Sequence, residues 1–490
     1  MFRVVRTLML GGLTGKVLGI VRELLSAALF GTGPIAAAYR LAQAAFLIPL
    51  HGFLSDAFGA GFTPAYARAR ADEIERSRVL FAGMHAIVLV VSIVVGLLMA
   101  MFALRWVQLL APGFGAETAA LATQMVVIMS IAMPFYALTA LYASAGLAEG
   151  KPHIAATRAS VQSVGLILGT LLAWYTGSAL FIAGGFLFAY VALTARGFRS
   201  ALAQGMRPWP RRTEWAAVRA LTVPVWRSVR VLMLVPLLLQ VHFIIERRVA
   251  SMIGADSVAA LDYVRFLSDT AVLLLAVPIG LAGLGTMSQL SEPRFRELAA
   301  RSMRLLLYVG VPLSLALVLH AELVVQIVFG RGAFDAASVA RAAAILQALA
   351  IGLWAQLIGY AGAKFLSARH RNRSLIGIYL AAVSCNVLLN LALYRFMGAA
   401  ALGVASATNS LVFGLLVLKS LGLFGTLRRD LITVGAIALA YVLMWNLASG
   451  LSAPRWLPLF AFAGYWCVAV VMVPRCRAVM HELWLSMRAA

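Results

Sequence analysis

The chain has 490 residues, 62% of them hydrophobic, and a mean hydropathy of +0.92. Soluble domains are about 45–50% apolar, so this composition excludes an ordinary soluble protein. The chain also carries 41 Lys and Arg against 18 Asp and Glu, which gives a net charge of +23. Where this charge falls along the chain distinguishes membrane topology from nucleic-acid binding.

Apolar segments of membrane-spanning length recur along the whole chain. About 20 apolar residues cross the hydrocarbon core, and their backbone must form its hydrogen bonds internally, which favours helices. We therefore predict an all-α polytopic membrane protein with about fourteen transmembrane helices. In chain order the predicted spans are 8–30, 34–58, 79–110, 119–147, 155–175, 178–197, 228–252, 258–290, 302–325, 337–366, 374–395, 398–420, 430–448 and 456–474.

The basic residues are concentrated in every second gap between these spans. The gaps after spans 2, 6, 8 and 10 each hold several Arg or Lys, whereas the gaps between them hold isolated residues such as Arg331 and Arg455. Cytoplasmic loops of membrane proteins carry this excess. We predict that both termini are cytoplasmic, and that the charge reflects topology and not binding to nucleic acid.

The sequence shows no arrangement typical of covalent chemistry. It has no nucleophile–base pair, metal cluster or phosphate-binding loop with usable spacing. Its three cysteines, Cys385, Cys467 and Cys476, have neither disulfide nor metal-ligand spacing. We therefore predict a protein that is not an enzyme and has no firm metal site or prosthetic group.

Short motifs repeat at a nearly constant separation. Residues 107–110 (VQLL) match 325–328 (VQIV) and 142–145 (YASA) match 360–363 (YAGA), each 218 residues apart. At this offset spans 1–6 correspond to spans 7–12, which predicts two lobes with the same orientation in the membrane. Transporters that work by alternating access have this architecture. We predict an N-lobe at 1–198, a cytoplasmic linker at 199–219, a C-lobe at 220–424, and helices 13 and 14 with a cytoplasmic tail at 425–490.

A few charged residues lie inside the predicted spans, where each costs about 2.5–3.5 kcal/mol and needs a cavity or a partner. We predict that four cations line a central cavity for an anionic substrate, because guanidinium groups bind phosphate oxygens bidentately. Nearby acids would support them, or the charges would simply pair among themselves. The cations are Lys16 and Arg22 on span 1, Arg40 on span 2 and Arg265 on span 8, and the acids are Glu23, Asp262 and Asp269.

Spans 11 and 12 carry a separate group of oxygen donors. Asn386 and Asn390 lie one helical turn apart on span 11, and Thr408 lies on span 12. Such side chains either hold a small cation or form hydrogen bonds between helices, which is their commoner role. The sequence alone leaves both interpretations open.

Several motifs resemble the MurJ/MviN lipid II flippases of the MOP exporter superfamily. Residues 15–23 (GKVLGIVRE) with 30–31 (FG) resemble the first helix of that family. Residues 111–114 (APGF), 328–335 (VFGRGAFD) and 365–369 (FLSAR) are similar to its segments after helices 3, 9 and 10. The resemblance covers nearly the whole chain.

The resemblance implies fourteen helices in two lobes that flip an undecaprenyl-pyrophosphate-linked peptidoglycan precursor, lipid II, to the outer leaflet of the bacterial cytoplasmic membrane. It places pyrophosphate-binding cations at Lys16, where Arg is usual, and at Arg22 and Arg265. It implies coupling to Na+ or to the membrane potential, with a sodium-site pattern at Asn386, Asn390, Val404 and Thr408. An Asp is usual where Asn390 stands.

Helix 2 departs most from the family pattern. Ala38 stands where an Asp is usual, and residues 48–51 (IPLH) and 55–56 (SD) replace the family's arginine-containing segment. Arg40 would then replace the missing arginine from a different turn. Because of this departure, another lipid-linked glycan is an alternative substrate.

The sequence thus predicts a flippase for lipid II whose partners are a polyprenyl-pyrophosphate-linked glycan, the bilayer and enzymes of cell-envelope synthesis. One alternative is a flippase for exopolysaccharide or O-antigen repeat units. An alternative of another class is a non-transporting membrane scaffold for envelope-synthesis enzymes.

Overall fold

The computed structural model describes residues 2–53, 56–232, 234–287, 290–448 and 457–479, and all regular secondary structure in these ranges is helical. Ser55, residues 449–456 and tail residues 480–490 lie outside the described residues, as do the side chains of His51 and Asp56. In chain order the helices are α1 (Phe2–Phe30), α2 (Pro34–Phe53), α3 (Asp56–Asp72), α4 (Ile74–Met101), α5 (Ala103–Leu110), α6 (Ala116–Ile131), α7 (Met133–Ala148), α8 (His153–Thr176), α9 (Leu180–Ala203), α10 (Trp215–Leu232), α11 (Leu234–Ile253), α12 (Ala255–Ala271), α13 (Val277–Met287), α14 (Glu292–Leu319), α15 (Ala321–Phe329), α16 (Ala336–Ala350), α17 (Leu353–Ala368), α18 (Asn372–Met397), α19 (Ala400–Ser420), α20 (Phe424–Ala448) and α21 (Leu457–Met472).

Contacts between Cα atoms divide the chain into two compact units. The first comprises Met1–Ala259 with Arg331–Phe334, and the second comprises Ala260–Gly330 with Asp335–Ala490. The predicted lobe boundaries at 198, 219 and 424 follow the sequence repeat and not the density of contacts. They stay a prediction.

In the first unit, α1 packs closely along α8. A Cβ atom added to Gly11 would lie 2.3 Å from the carbonyl oxygen of Ala156, and one added to Gly15 would lie 2.7 Å from the Cβ of Ala159. In a bilayer the hydrophobic effect does not drive helices together, because the lipid tails are as apolar as leucine. Helices therefore associate through close packing at small residues such as these. The glycines of the first predicted span therefore hold α1 in a fixed position.

The second unit is organised around α17, which packs against α13, α14 and α19. Its buried face includes Leu357, Ile358 and Phe365. α20 and α21 join α14 through aromatic rings, of which Tyr441 and Phe462 meet edge to face with centroids 4.8 Å apart. These two helices form the predicted pair that follows the repeat.

The two halves of the chain break their helices at matching positions. Phe102 separates α4 from the short α5, and His320, 218 residues later, separates α14 from the short α15. The apolar pair α6 and α7 is bent by 45°, and the corresponding pair α16 and α17 is bent by 54°. The predicted internal repeat is therefore present in the helix pattern as well as in the motifs.

The two glycine-containing motifs, residues 111–114 and 328–335, each contact the end of a helix that belongs to the other half of the sequence. In residues 111–114, a Cβ on Gly113 would lie 2.0 Å from Ser251 O of α11. In the other motif, Ala333 N donates to Ala28 O of α1 at 2.8 Å, and Gly332, with φ of 59°, would place a Cβ 2.2 Å from the same oxygen. These contacts explain why only glycine fits at both positions.

The predicted count of fourteen spans is not established by the lengths and compositions of the helices. Eight described helices are long and apolar enough to cross a membrane, and the two bent pairs raise the number to ten. Shorter apolar helices cover Pro34–Leu50 and Phe460–Met472. Each predicted span nevertheless falls on a helix or on a consecutive helix pair, and the all-helical membrane fold is confirmed.

Candidate functional site

The predicted cations of α1 and α2 surround one buried carboxylate. Glu23 is only 2% exposed. Arg22 Nη2 donates to Glu23 Oε1 at 2.6 Å, and Arg40 donates from Nη1 to the same oxygen at 3.3 Å and from Nη2 to Oε2. Because two guanidinium groups share one acid, the cluster keeps a net positive charge. We call Arg22, Glu23 and Arg40 the arginine cluster.

The position of the arginine cluster follows from the packing of its helices. Gly15 and Gly19 on α1 are buried, and the Cβ position of Gly19 lies 4.0 Å from Ser163 Oγ on α8. Arg40 is 6% exposed, so its charge requires a partner inside the protein. Glu23 is that partner. Glu23 thus pairs with Arg22 and Arg40, as the alternative of charges that pair among themselves describes. Its supporting role in a substrate site stays a prediction.

The structure brings together only part of the predicted site. Lys16 is half-buried, six residues before Arg22 on the same helix. Arg265 and Asp262 are also half-buried and Asp269 is exposed, and all three belong to α12 in the second unit. The shared cavity for Lys16, Arg22, Arg40 and Arg265 stays a prediction.

Arg158 is a further cation of the first unit that the sequence analysis did not select. It lies in the second turn of α8, with its Cζ atom 4.3 Å from the ring centroid of Tyr136 and 5.8 Å from that of Tyr190. Both Arg158 and Arg22 interact electrostatically with Tyr190. A third guanidinium group thus shares Tyr190 with Arg22 of the arginine cluster, and Gln162, one turn after Arg158, accepts a hydrogen bond from the hydroxyl of Tyr190 at 2.9 Å.

The predicted cation site on α18 and α19 is built from neutral oxygen donors. Asn390 Nδ2 donates to Asn386 Oδ1 at 2.9 Å and to Asn386 O at 3.1 Å, while Thr408 Oγ1 donates to Val404 O at 2.9 Å. Asn390 Oδ1 is buried and has no hydrogen-bond partner among the described residues. Amide and hydroxyl oxygens are suitable ligands for a hard cation such as Na+, so this chemistry fits the ion. Among the described side chains, no group of three or more His, Cys, Asp or Glu could hold a metal.

Charged side chains buried inside the spans of a repeated, all-helical membrane fold are typical of a membrane transporter. The sequence profile described as "Lipid II flippase MurJ" matches residues 26–466. The chain therefore belongs to the MurJ family. Its members are lipid flippases, which confirms the prediction of a transporter and not an enzyme.

The related proteins are similar over most of their length. A "Probable lipid II flippase MurJ" of Rhizobium tropici is 26% identical over 86% of this chain and 80% of its own. One from Synechocystis sp. is 28% identical over 70% of this chain and 66% of its own.

Solved structures show the same fold. A structure described as "Lipid II flippase MurJ, inward closed conformation" covers 98% of this chain and 99% of its own, with a TM-score of 0.78 and 17% identity. An inward-facing multidrug resistance MATE family transporter of the MOP superfamily has a TM-score of 0.66, with 14% identity over 87% of this chain and 99% of its own. These matches confirm the predicted helical membrane fold.

Proposed function

We propose that the protein flips lipid II from the inner to the outer leaflet of the bacterial cytoplasmic membrane by alternating access. The match of the family profile over residues 26–466 is the observation that carries this proposal. The buried positive charge of the arginine cluster supports it, because a pyrophosphate group needs cations inside an apolar environment.

The arginine cluster would bind the substrate by exchanging one anion for another. Before the substrate arrives, Glu23 reduces the repulsion between Arg22 and Arg40. A pyrophosphate carries more negative charge and more acceptor oxygens than one carboxylate, and guanidinium groups bind such oxygens in pairs. Lys16, Arg158 and Arg265 would add charge to the same head group, while the lipid tail stays in the bilayer.

We further propose that both termini are cytoplasmic, as the distribution of basic residues indicates. The enzymes that make and use the lipid-linked glycan are the proposed partners. Exchange of substrate with such enzymes would need no covalent step by this chain.

Transport is proposed to be coupled to Na+ or to the membrane potential. Asn386, Asn390 and Thr408 would hold the ion through their side-chain oxygens. In proteoliposomes without a membrane potential, replacing Na+ by K+ should then slow flipping of lipid II. A rate that does not change would remove the Na+ site from the proposal, and leave the potential as the remaining source of energy.

The substrate is tested in a bacterium whose own lipid II flippase is depleted. We expect the chain to sustain growth, and Arg265→Ala to abolish growth at an unchanged amount of protein in the membrane. Arg395→Ala is the matched control, because Arg395 is exposed and its guanidinium group interacts with the ring and hydroxyl of the neighbouring Tyr394. Growth with Arg265→Ala would contradict the proposed role of that cation.

Two other outcomes would replace the proposal. If the inserted chain fails to sustain growth but restores surface export in a strain lacking an O-antigen or exopolysaccharide flippase, the substrate is that glycan. If it moves neither lipid in proteoliposomes but retains envelope-synthesis enzymes on co-purification, the protein is a scaffold.

A further inference from the structure

A cavity of about 510 Å³ lies in the first unit between α2, α4, α7 and α10. Thirteen of the fifteen lining residues that the structure describes are apolar, among them Val88, Val91 and Trp226. The other two use their hydroxyl groups within their own helices, since Ser92 donates to Val88 O at 2.6 Å and Thr222 donates to Val218 O at 2.8 Å. The cavity therefore offers a ligand hydrocarbon contacts and almost no polar ones.

The length of this cavity matches one leaflet of a bilayer. Its lining on α4 runs from Met84 to Val95, which is about 16 Å at 1.5 Å per residue. The hydrocarbon core is about 30 Å thick, so a chain that belongs to one leaflet covers about half of it. α4 is also the most apolar of the described spans, with a mean hydropathy of 2.6, so the cavity is placed among lipid tails.

A second cavity, of about 330 Å³, continues the first toward the start of α4. It is lined by α3, α4 and α10, and both cavities include Val225. Its wall carries Arg68, Arg76 and Asp72. Arg76 pairs with Asp72 at 3.1 Å, whereas Arg68 is exposed and forms no ion pair within the part of the chain that the structure describes. This end therefore presents positive charge where the apolar cavity ends.

α10 forms a fixed wall for both cavities. A Cβ on Gly61 of α3 would lie 2.5 Å from Val229 Cγ2, and one on Gly83 of α4 would lie 2.5 Å from Val218 Cγ1. Val218, Thr222, Val225 and Val229 are all buried at helical spacing, so one face of α10 is held against α3 and α4. The cavities are therefore built into the fold of the first unit.

We propose that these two cavities bind one anionic glycerophospholipid of the surrounding membrane. Its acyl chain lies along α4 between Met84 and Val95, and its phosphate lies at Arg68 and Arg76. The apolar cavity requires hydrocarbon, and the positive charge beside it selects a head group with net negative charge. This site is separate from the arginine cluster and does not depend on the proposed substrate.

The test uses Trp226 as a reporter in the full-length protein reconstituted into vesicles. Phosphatidylglycerol or phosphatidylcholine with dibrominated chains is added at equal mole fraction, and the fluorescence of Trp226 is taken as the difference between the wild type and Trp226→Phe. We expect severalfold stronger quenching by the anionic lipid. Val91→Phe, which fills the cavity at an exposed lining position, should reduce quenching by both lipids.

Charge variants decide whether the head group is recognised. Arg68→Gln/Arg76→Gln should abolish the preference for phosphatidylglycerol, whereas Arg294→Gln/Arg373→Gln, which removes two exposed cations elsewhere, should retain it. Equal quenching of the wild type by both lipids would overturn the proposal. So would relief of quenching by undecaprenyl phosphate but not by unbrominated phosphatidylglycerol, because the cavity would then belong to a polyprenyl lipid.

Discussion

Glu23 offsets part of the positive charge of the arginine cluster. Removing one partner of a buried ion pair leaves an uncompensated charge, and this costs about 3–5 kcal/mol. In this cluster two guanidinium groups depend on the same carboxylate, and Arg40 is itself buried. Glu23 therefore stabilises the folded protein, and it also keeps the two arginines close together.

We expect Glu23→Gln to lower the free energy of unfolding by about 3–5 kcal/mol, because Arg40 loses its charged partner. Thermal unfolding in detergent measures the effect, with Glu117→Gln as the control at an exposed acid. The double variant Glu23→Gln/Arg40→Gln should recover part of the loss, since it removes the buried charge as well. A wild-type unfolding temperature for Glu23→Gln would contradict the ion pairing described above.

The sequence identified the members of this cluster but not their partners. Arg22, Glu23 and Arg40 stand out because charges in apolar spans are costly. The pairing of Glu23 with Arg40 depends on how α1 and α2 pack, which the spacing of residues within one helix does not contain. Arg158 was missed because a basic residue near the end of a span has the same pattern as one that reaches toward the lipid head groups.

At the scale of helices, two glycines of α1 that are adjacent in sequence have opposite environments. A Cβ on Gly11 would lie 2.3 Å from Ala156 O of α8, whereas a Cβ on Gly12 would meet no atom within 4 Å. The close approach of α1 to α8 therefore depends on Gly11 and Gly15. This contact positions the helix that carries Lys16 and the arginine cluster.

We expect Gly11→Ala to destabilise the protein by about 1–3 kcal/mol, because the added methyl group forces α1 away from α8. Gly12→Ala should leave the unfolding temperature unchanged or slightly higher, since alanine is the better helix former. Both variants differ from the wild type by one methyl group, so their thermal unfolding in detergent compares the two positions directly. Equal effects at both positions would show that the α1–α8 contact is looser than described.

The hydropathy pattern located the helices more accurately than it located their breaks. Residues 79–110 were predicted as one span, but the helix stops at Phe102 and a short helix follows. Likewise, residues 119–147 form two helices bent by 45° at Ala132. Hydropathy reports which residues suit lipid, and it stays high across a break whose backbone groups are satisfied by neighbouring helices. The repeat was the better guide, because both breaks recur in the second half.

For the whole molecule, the number of crossings depends on α11. By length and composition α11 does not count as a candidate membrane span, because its described residues include three charged ones, Glu246, Arg247 and Arg248. Two of these charges are enclosed by protein: Glu246 is fully buried, 3.7 Å from His242 Nε2, and Arg247 is 8% exposed and donates to Val258 O at 3.4 Å. Arg248 is exposed and donates to Leu109 O at 3.0 Å. A helix of 20 residues is about 30 Å long, which suffices to cross the hydrocarbon core.

The sidedness of Arg199 and Arg294 tests whether α11 crosses the membrane. Both residues are exposed, and among the described helices between them only Ala255–Leu281 is long and apolar enough to cross a membrane. If that helix alone crosses, Arg199 and Arg294 lie on opposite sides of the membrane. If α11 also crosses, both lie on the same side, which is the cytoplasmic side in the proposed orientation. We expect Arg199→Cys and Arg294→Cys, made after replacing the three native cysteines by serine, to react with an impermeant maleimide only in permeabilised spheroplasts. Glu117→Cys and Phe396→Cys should react in intact spheroplasts, which controls for reagent access. Labelling of Arg294→Cys in intact spheroplasts, with Arg199→Cys protected, would show that α11 does not cross and that the two halves cannot share one orientation.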